Sequence, residues 1–480
     1  MADYPRCPAH FDPTMALVSY DAVSIPLMGL SLFLTYLIGS FVYATQFHPL
    51  HEIPGPNSAA CSRIPYWFAA LKGDSCSWLV QLHARYGPND LRYADSGQAW
   101  KDIYGPETKG RKENPQSVAF FGPTKAPVHN RITANGPDHN RARRVLAPAF
   151  SERALKQQEP LFRRYADVLV AVLREQAEAD GAEGVNMVAM FNFCTFDIMS
   201  DLTFGEPLGL LEHRKYTPWV ERMFRSITVL PLVQLTEYNP VLRTHTRDRV
   251  DAHIRRGGRP GQPDIRSLVL AAGDRDRGLF LDEMHANAEI FMTAGTETSA
   301  TLLSGCEIRG AFATESDEHF EGLAALPYLN ACVEEALRIY PPVSDMIPRI
   351  IPEGGNVILD KWTAPGVSKT HQSNICLGPP YRLIPVPANF KNPNTFAPER
   401  WLGDPEYKDD QRDAFQPFIC GPRNCLGQNM TYHEIRLLAA KVFFNFDLEL
   451  CDDSRDWREQ KVFVLWEKKP LLCKLRAVTK

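Results

Sequence analysis

Phe418-Ile419-Cys420-Gly421-Pro422-Arg423-Asn424-Cys425-Leu426-Gly427 is a cysteine loop bracketed by glycines that runs directly into an apolar helical stretch. A thiolate at Cys425 lies beside Arg423 and near the first turn of the helix carrying Ile435, Leu438 and Val442. Both a cation and a helix N-terminus favour negative charge. That is the setting of a metal-bound sulfur. Gly421 and Gly427 let the backbone approach a flat ligand closely, and Pro422 stiffens the turn between them. A buried cysteine acting as a small hydrophobe is the plain alternative for any lone cysteine. The surrounding pattern weighs against it.

Other metal centres fit poorly. Cys420 and Cys425 have the opening spacing of a plant-type iron–sulfur loop, but Gln428 stands where the next cysteine belongs. Zinc needs a second ligand pair at close spacing, and none stands nearby. A single axial thiolate on haem iron needs only one cysteine. The ten residues resemble the haem-binding loop of the cytochrome P450 monooxygenases, with Phe418, Gly421, Arg423, Cys425 and Gly427 at its defining positions. The resemblance implies haem b with Cys425 as axial iron ligand. It also implies a mainly α fold with small β-sheets, the cytochrome P450 fold, preceded by an N-terminal transmembrane helix.

The chain has 480 residues, and the regular spread of helical patterns favours one large fold over several domains. Lys+Arg 53 against Asp+Glu 57 leaves a net charge of -4, so there is no basic field to attract nucleic acid. The 11 cysteines lack paired spacing and read as mostly free thiols of a reducing compartment. Ala22 to Phe47 carries no charge, and Val23 through Ala44 matches the ~20 residues a bilayer span needs. A cleaved signal peptide fits less well, because the segment begins late and follows an Asp-containing leader. A buried core helix is the other reading. Ile53-Pro54-Gly55-Pro56 then forces a turn. The expected organisation is a leader over 1–21, a membrane anchor over 22–47, a proline-rich hinge over 48–58 and a haem-thiolate catalytic domain over 59–480. The resemblance places the anchor in the endoplasmic reticulum membrane as a single pass, with the catalytic domain cytosolic.

Four further segments carry chemistry. Between Asp282, read as an N-cap, and Gly305, apolar residues including Met284, Ala288, Phe291, Met292, Leu302 and Leu303 recur at helical spacing around Ala294-Gly295-Thr296-Glu297-Thr298-Ser299. Gly295 costs such a helix about 1 kcal/mol relative to alanine. Close helix packing is one compensation, and room for a ligand is the one expected here. Glu297 and Thr298 resemble the family's oxygen-activation pair, in which Thr298 steadies dioxygen and Glu297 relays protons through water. Glu335 and Arg338, three apart in a helical run starting near Leu329, resemble the family pair completed by the arginine of Phe396-Ala397-Pro398-Glu399-Arg400-Trp401. Glu335, Arg338 and Arg400 are then structural. His139 and Arg143, four apart, fall where the family clamps a haem propionate, although relatives often carry tryptophan at the position of His139. Arg349, after Pro348, matches another propionate-binding arginine, and with Arg423 the resemblance gives three arginines for two propionates.

The chain also departs from the family pattern. Ser304-Gly305-Cys306 leads almost directly to Glu307-Ile308-Arg309-Gly310-Ala311-Phe312 where relatives insert a helix, and Tyr86-Gly87-Pro88 passes at once to Asn89-Asp90-Leu91 where they place a strand. Ser373 through Pro385 leaves the family register. An imperfect gene model and genuine divergence are the rival explanations. The resemblance implies hydroxylation or epoxidation of a lipophilic small molecule, with electrons from NADPH through a separate cytochrome P450 reductase. The flavour of Pro352-Glu353-Gly354-Gly355 and of Phe396 to Asp404 resembles filamentous-fungal enzymes that tailor terpenoid or polyketide secondary metabolites. A thiolate-haem isomerase or dehydratase, and an inactive relative whose missing segments prevent haem capture, are the alternatives.

Overall fold

The structure, a computed structural model, describes residues 14–47, 56–62, 64–86, 97–117, 128–179, 184–228, 240–257, 264–265, 278–305, 319–344, 348–358, 361–363, 375–376, 389–463 and 465–478. The departures at 87–91 and 306–312, most of 373–385 and the hinge up to residue 55 lie outside these. The chain divides into two compact units, Met1–Phe68 and Ala69–Lys480.

In the first unit, helix α1 (Thr14–Val42) continues as a π-helical turn over Tyr43–Phe47. It begins before the uncharged segment that the sequence marks. Ile25–Phe47 is a 23-residue stretch of mean hydropathy 1.9, in which Ala44 is buried. At about 1.5 Å per residue this exceeds the ~30 Å hydrocarbon core of a bilayer. Exposed Leu32, Phe33 and Ile38 give it an apolar surface.

The second unit is mainly helical. Its principal helices are α2 (Gly97–Tyr104), α3 (Gly136–Leu146), α4 (Glu152–Ala179), α5 (Met187–Phe204), α6 (Pro218–Thr228), α7 (Pro240–Arg256), α8 (Leu281–Gly305), α9 (Pro327–Ile339) and α10 (Gln428–Asn445). Helix α5 is apolar on almost every face and is buried along nearly its whole length, as a helix without a polar stripe must be. Asn186 caps its start by accepting from the Ala189 N–H at 3.3 Å, and Gly205 ends it at φ 69°. Helix α8 lies along α5 and also touches α7 and α10. Asp282 falls inside its first turn rather than at the cap, and Glu283 instead accepts from the Phe280 N–H at 2.9 Å.

The sheets are small. Strands β1 (Val185–Asn186), β2 (Arg349–Ile350), β3 (Ile375–Cys376), β4 (Phe446–Leu450) and β5 (Leu472–Ala477) form an antiparallel sheet of order β1-β5-β4 and a separate β2-β3 pair. Pairing of Asn186 with Leu472 draws the C-terminal segment onto the start of α5. Among the described residues, only the short helix Phe320–Ala324 stands between α8 and α9.

Glu335, Arg338 and Arg400 meet in the interior, each 0% exposed. Arg338 donates to both Glu335 oxygens at 2.8 Å, and Arg400 Nε lies 3.3 Å from Oε2. The carboxylate also accepts from the Ala397 N–H and from Trp401 Nε1, both at 2.9 Å. Arg338 donates onward to the Pro393 and Thr395 carbonyls, and Arg400 pairs with Asp410. Burial alone pushes the Glu335 carboxyl up, but Arg338 and these donors outweigh it, so it titrates below its ordinary value. Its stabilising contribution is therefore present above about pH 4.3 and lost as pH falls through the lower folded value. Glu335→Ala leaves buried guanidinium charge uncompensated and should destabilise the fold by about 3–5 kcal/mol, measured by chemical denaturation at pH 7.

Candidate active site

The Cys425 loop is pinned where its backbone is least ordinary. Ile419, β-branched, sits at φ 59°, and Gly421 follows at φ 78°. A Cβ on Gly421 would stand 2.1 Å from the Tyr104 carbonyl oxygen of α2, so the loop seats there only as glycine. Cys420 Sγ donates to the Trp100 carbonyl at 3.3 Å, and the Cys425 N–H donates to the Phe418 carbonyl at 2.8 Å. Helix α10 begins three residues after Cys425, with Ile435, Leu438 and Val442 turned fully into the core. Cys425 is exposed in this loop, with Arg131 and Arg143 near it.

The cations stand differently from expectation. Arg423 turns away from the sulfur: its guanidinium donates to Glu113 at 2.9 Å, to the Ala134 carbonyl at 2.8 Å and to Asn135 Oδ1 at 2.9 Å. The positive charge near Cys425 comes from Arg143 and from Arg131. Arg143 Nη1 and Arg131 Nη2 both donate to the Asn424 carbonyl, at 3.0 and 2.8 Å, while the Arg131 N–H donates to Asn287 of α8 at 2.9 Å. Burial pushes the Cys425 thiol up, and the Gly427 N–H and these two arginines only partly offset it. The loop therefore presents a thiol until a metal takes its proton. Arg131, pushed down to about 10 by burial and by Arg143, keeps its Nε without a partner among the described residues.

Arg349 is buried on β2, its guanidinium 5.0 Å from the Tyr104 ring centroid, with Gln116 bridged to its backbone. His139, on α3 with Arg143, is buried and lies 3.3 Å from Asn140 Oδ1.

On α8, Ala294 is exposed while Met292, Thr296 and Glu297 around it are buried, so one face of this core helix is open. Thr298 follows one turn later and donates to the Ala294 carbonyl at 2.6 Å. Gly295 packs against α5: a Cβ there would sit 2.8 Å from the Met199 sulfur. Glu297 turns to the buried side, where Lys468 Nζ lies 3.0 Å from its Oε1.

The cytochrome P450 family profile matches residues 98–256 and 259–474. Cytochrome P450 monooxygenase efuB of Hormonema carpetanum is 39% identical, aligned over 93% of this chain and 95% of its own length. Cytochrome P450 monooxygenase FUM2 of Gibberella moniliformis is 39% identical over 92% of this chain and all of its own, and cytochrome P450 monooxygenase astJ of Aspergillus oryzae is 38% identical over 90% and 93%. The chain belongs to the cytochrome P450 family. It is an oxidoreductase that incorporates oxygen, similar to fungal P450 monooxygenases of secondary metabolism, and the family implies a haem-thiolate cofactor and a redox partner.

The residues present fit that cofactor. Gly427 has φ -86°, and a Cβ on it would meet only the Met430 methyl at 4.0 Å, so neither backbone nor packing demands a glycine there. That open space beside the cysteine loop would accept a flat ligand. Arg131, Arg143 and Arg349 supply forked donors for the carboxylates of such a group. Sequence reading missed Arg131, which carries no motif and is singled out only by its reach to Asn424 and Asn287. It missed Lys468 for the same reason.

His139 is neutral at pH 7, pushed down to about 4 by burial and then by Arg423. An unfolded histidine titrates near 6.5, so below that pH protonation favours the unfolded chain. Stability should therefore decline as pH falls from about 6.5 toward 4, and His139→Phe should flatten that slope in denaturation curves collected across the range.

Proposed function

We propose that the chain is a membrane-anchored haem-thiolate monooxygenase that hydroxylates or epoxidises a lipophilic small molecule, a terpenoid or polyketide of fungal secondary metabolism. Cys425 is its axial iron ligand. The observation that carries this reading is the accessible thiol of Cys425 in a loop that seats against α2 only as glycine, with Arg131 and Arg143 beside it. Bound there, haem supplies the activation of dioxygen that breaks an unactivated C–H bond. Arg143, Arg349, His139 and Arg131 hold its carboxylates, and Phe418, Gly421, Arg423 and Gly427 shape the loop around it. Residues 22–47 anchor the protein in the endoplasmic reticulum membrane with residues 59–480 in the cytosol, where NADPH–cytochrome P450 reductase supplies the electrons.

The chain's own groups manage the proton and the pocket. Thr298 lies on the open face of α8 with its hydroxyl donated to the Ala294 carbonyl; turned outward it would steady dioxygen beside the cofactor and pass on a proton. Glu297, about 100° round the same helix, would receive that proton from the interior and hand it on through water. Ala294 and Val343 border the space for an apolar substrate.

The reduced protein should show a red-shifted Soret band with carbon monoxide, and Cys425→Ala should abolish it. A band that survives this substitution overturns the ligand assignment. Product formation should require NADPH, reductase and dioxygen together; turnover of a hydroperoxide without them supports the isomerase reading instead.

A further inference from the structure

Glu297 and Lys468 form an ion pair in the interior, Nζ to Oε1 3.0 Å, with each side chain only 4% exposed. Burying two charges costs several kcal/mol per ion before their attraction is counted, and well-packed apolar residues at such positions are often as stable or more so. Stability alone is therefore a weak reason for the pair to exist. Its place is informative. Glu297 precedes Thr298 on α8, and Lys468 arrives from a distant part of the chain.

The sheet explains how Lys468 reaches this point. β1 leads directly into α5, and β5 pairs with β1, with the Met187 N–H donating to the Leu471 carbonyl at 2.8 Å. The segment just before β5 thus lies along the first turns of α5, and Lys468 Nζ donates to Asn192 Oδ1 at 3.1 Å. Asn192 Nδ2 in turn donates to the Tyr216 hydroxyl at 2.9 Å. Lys468 is held from two sides, by Asn192 and by Glu297. The other carboxylate oxygen, Oε2, is buried and has no partner among the described residues.

We infer that Lys468 is a positioning residue for Glu297: it holds one carboxylate oxygen, Oε1, in the α5–β5 clamp, so that Oε2 alone is left to take up and release the relayed proton. This rests on the reading of Glu297 as the proton relay. A buried carboxylate without an adjacent cation titrates upward and holds its proton, which stops it from accepting another. Lys468 supplies that cation from inside the fold. The titratable groups facing Glu297 are Lys468 from the C-terminal segment and Tyr216 from the loop before α6, and burial holds Tyr216 neutral, pushed up to about 12. Glu434 of α10, pushed up to about 8 by burial, faces Ser299 further round α8.

The test uses the haem-loaded full chain with NADPH and cytochrome P450 reductase and no added substrate. NADPH oxidation, and the share of its electrons recovered as hydrogen peroxide, are followed from about pH 5.5 to 9. Lys468→Met should slow NADPH oxidation about tenfold and move the acid limb of its pH profile upward by about one unit or more. Lys468→Arg should restore most of the rate. If Lys468 acts only through Glu297, the double variant E297Q/K468M should match E297Q within about twofold. The carbon-monoxide band and the melting temperature report whether each variant is intact. A slow E297Q with a K468M rate and pH profile like the wild type overturns the inference and leaves the role of Glu297 standing. An E297Q rate like the wild type overturns the role of Glu297, and the inference with it. Where K468M does not fold, the charge-free double variant decides: a rate well below E297Q alone means that Lys468 acts in some other way and overturns the inference.

Discussion

One buried carboxylate organises the segment on which the cysteine loop stands. Glu335 is fully buried and accepts hydrogen bonds from Arg338, from the Ala397 N–H and from the Trp401 indole. Arg338 is fully buried and Ala397 nearly so, so removing the acceptor strands several donors at once. From Trp401 the connection continues by ring packing at 4.9 Å to Phe415, and the adjacent Ala414 carbonyl accepts from Trp100 of α2 at 3.1 Å. The same helix offers the Tyr104 carbonyl against which Gly421 seats. Glu335 therefore supports Cys425 through backbone and ring contacts without approaching the sulfur.

Helix α8 separates two tasks by its two faces. Ala294 and Thr298 look into open space, while Glu297, one residue away and about 100° round the helix, is sealed in the interior with Lys468. The relay proposed for this pair would carry a proton from the sealed face to the open face across a single turn. Gly295 between them lets the Met199 side chain of α5 pack close against α8.

The cysteine loop, the Glu335–Arg338–Arg400 group and the apolar N-terminal helix were legible in the sequence because each is specified by residues close together or by a family spacing. Arg131 and Lys468 were not. Each acts on a residue more than 150 positions away in the chain, Asn424 or Asn287 for one and Glu297 for the other, and neither lies in a repeating pattern. Periodicity shows the cost of Gly295 but cannot name Met199, the partner on another helix that packs against it. Arg423 was placed beside the thiolate by adjacency alone. In the fold Glu113 turns it away.

That last difference changes the electrostatics of the sulfur. With Arg423 neutralised by Glu113, the loop has lost its adjacent cation, and burial keeps the Cys425 thiol above its ordinary range despite Arg131 and Arg143. The thiolate is then not preformed by the protein. A metal bound to this sulfur would displace its proton, so cofactor capture would weaken under acid conditions. Arg131 and Arg143 serve both ends of this equilibrium, drawing the sulfur toward the anion while their shared grip on the Asn424 carbonyl fixes the backbone that carries it.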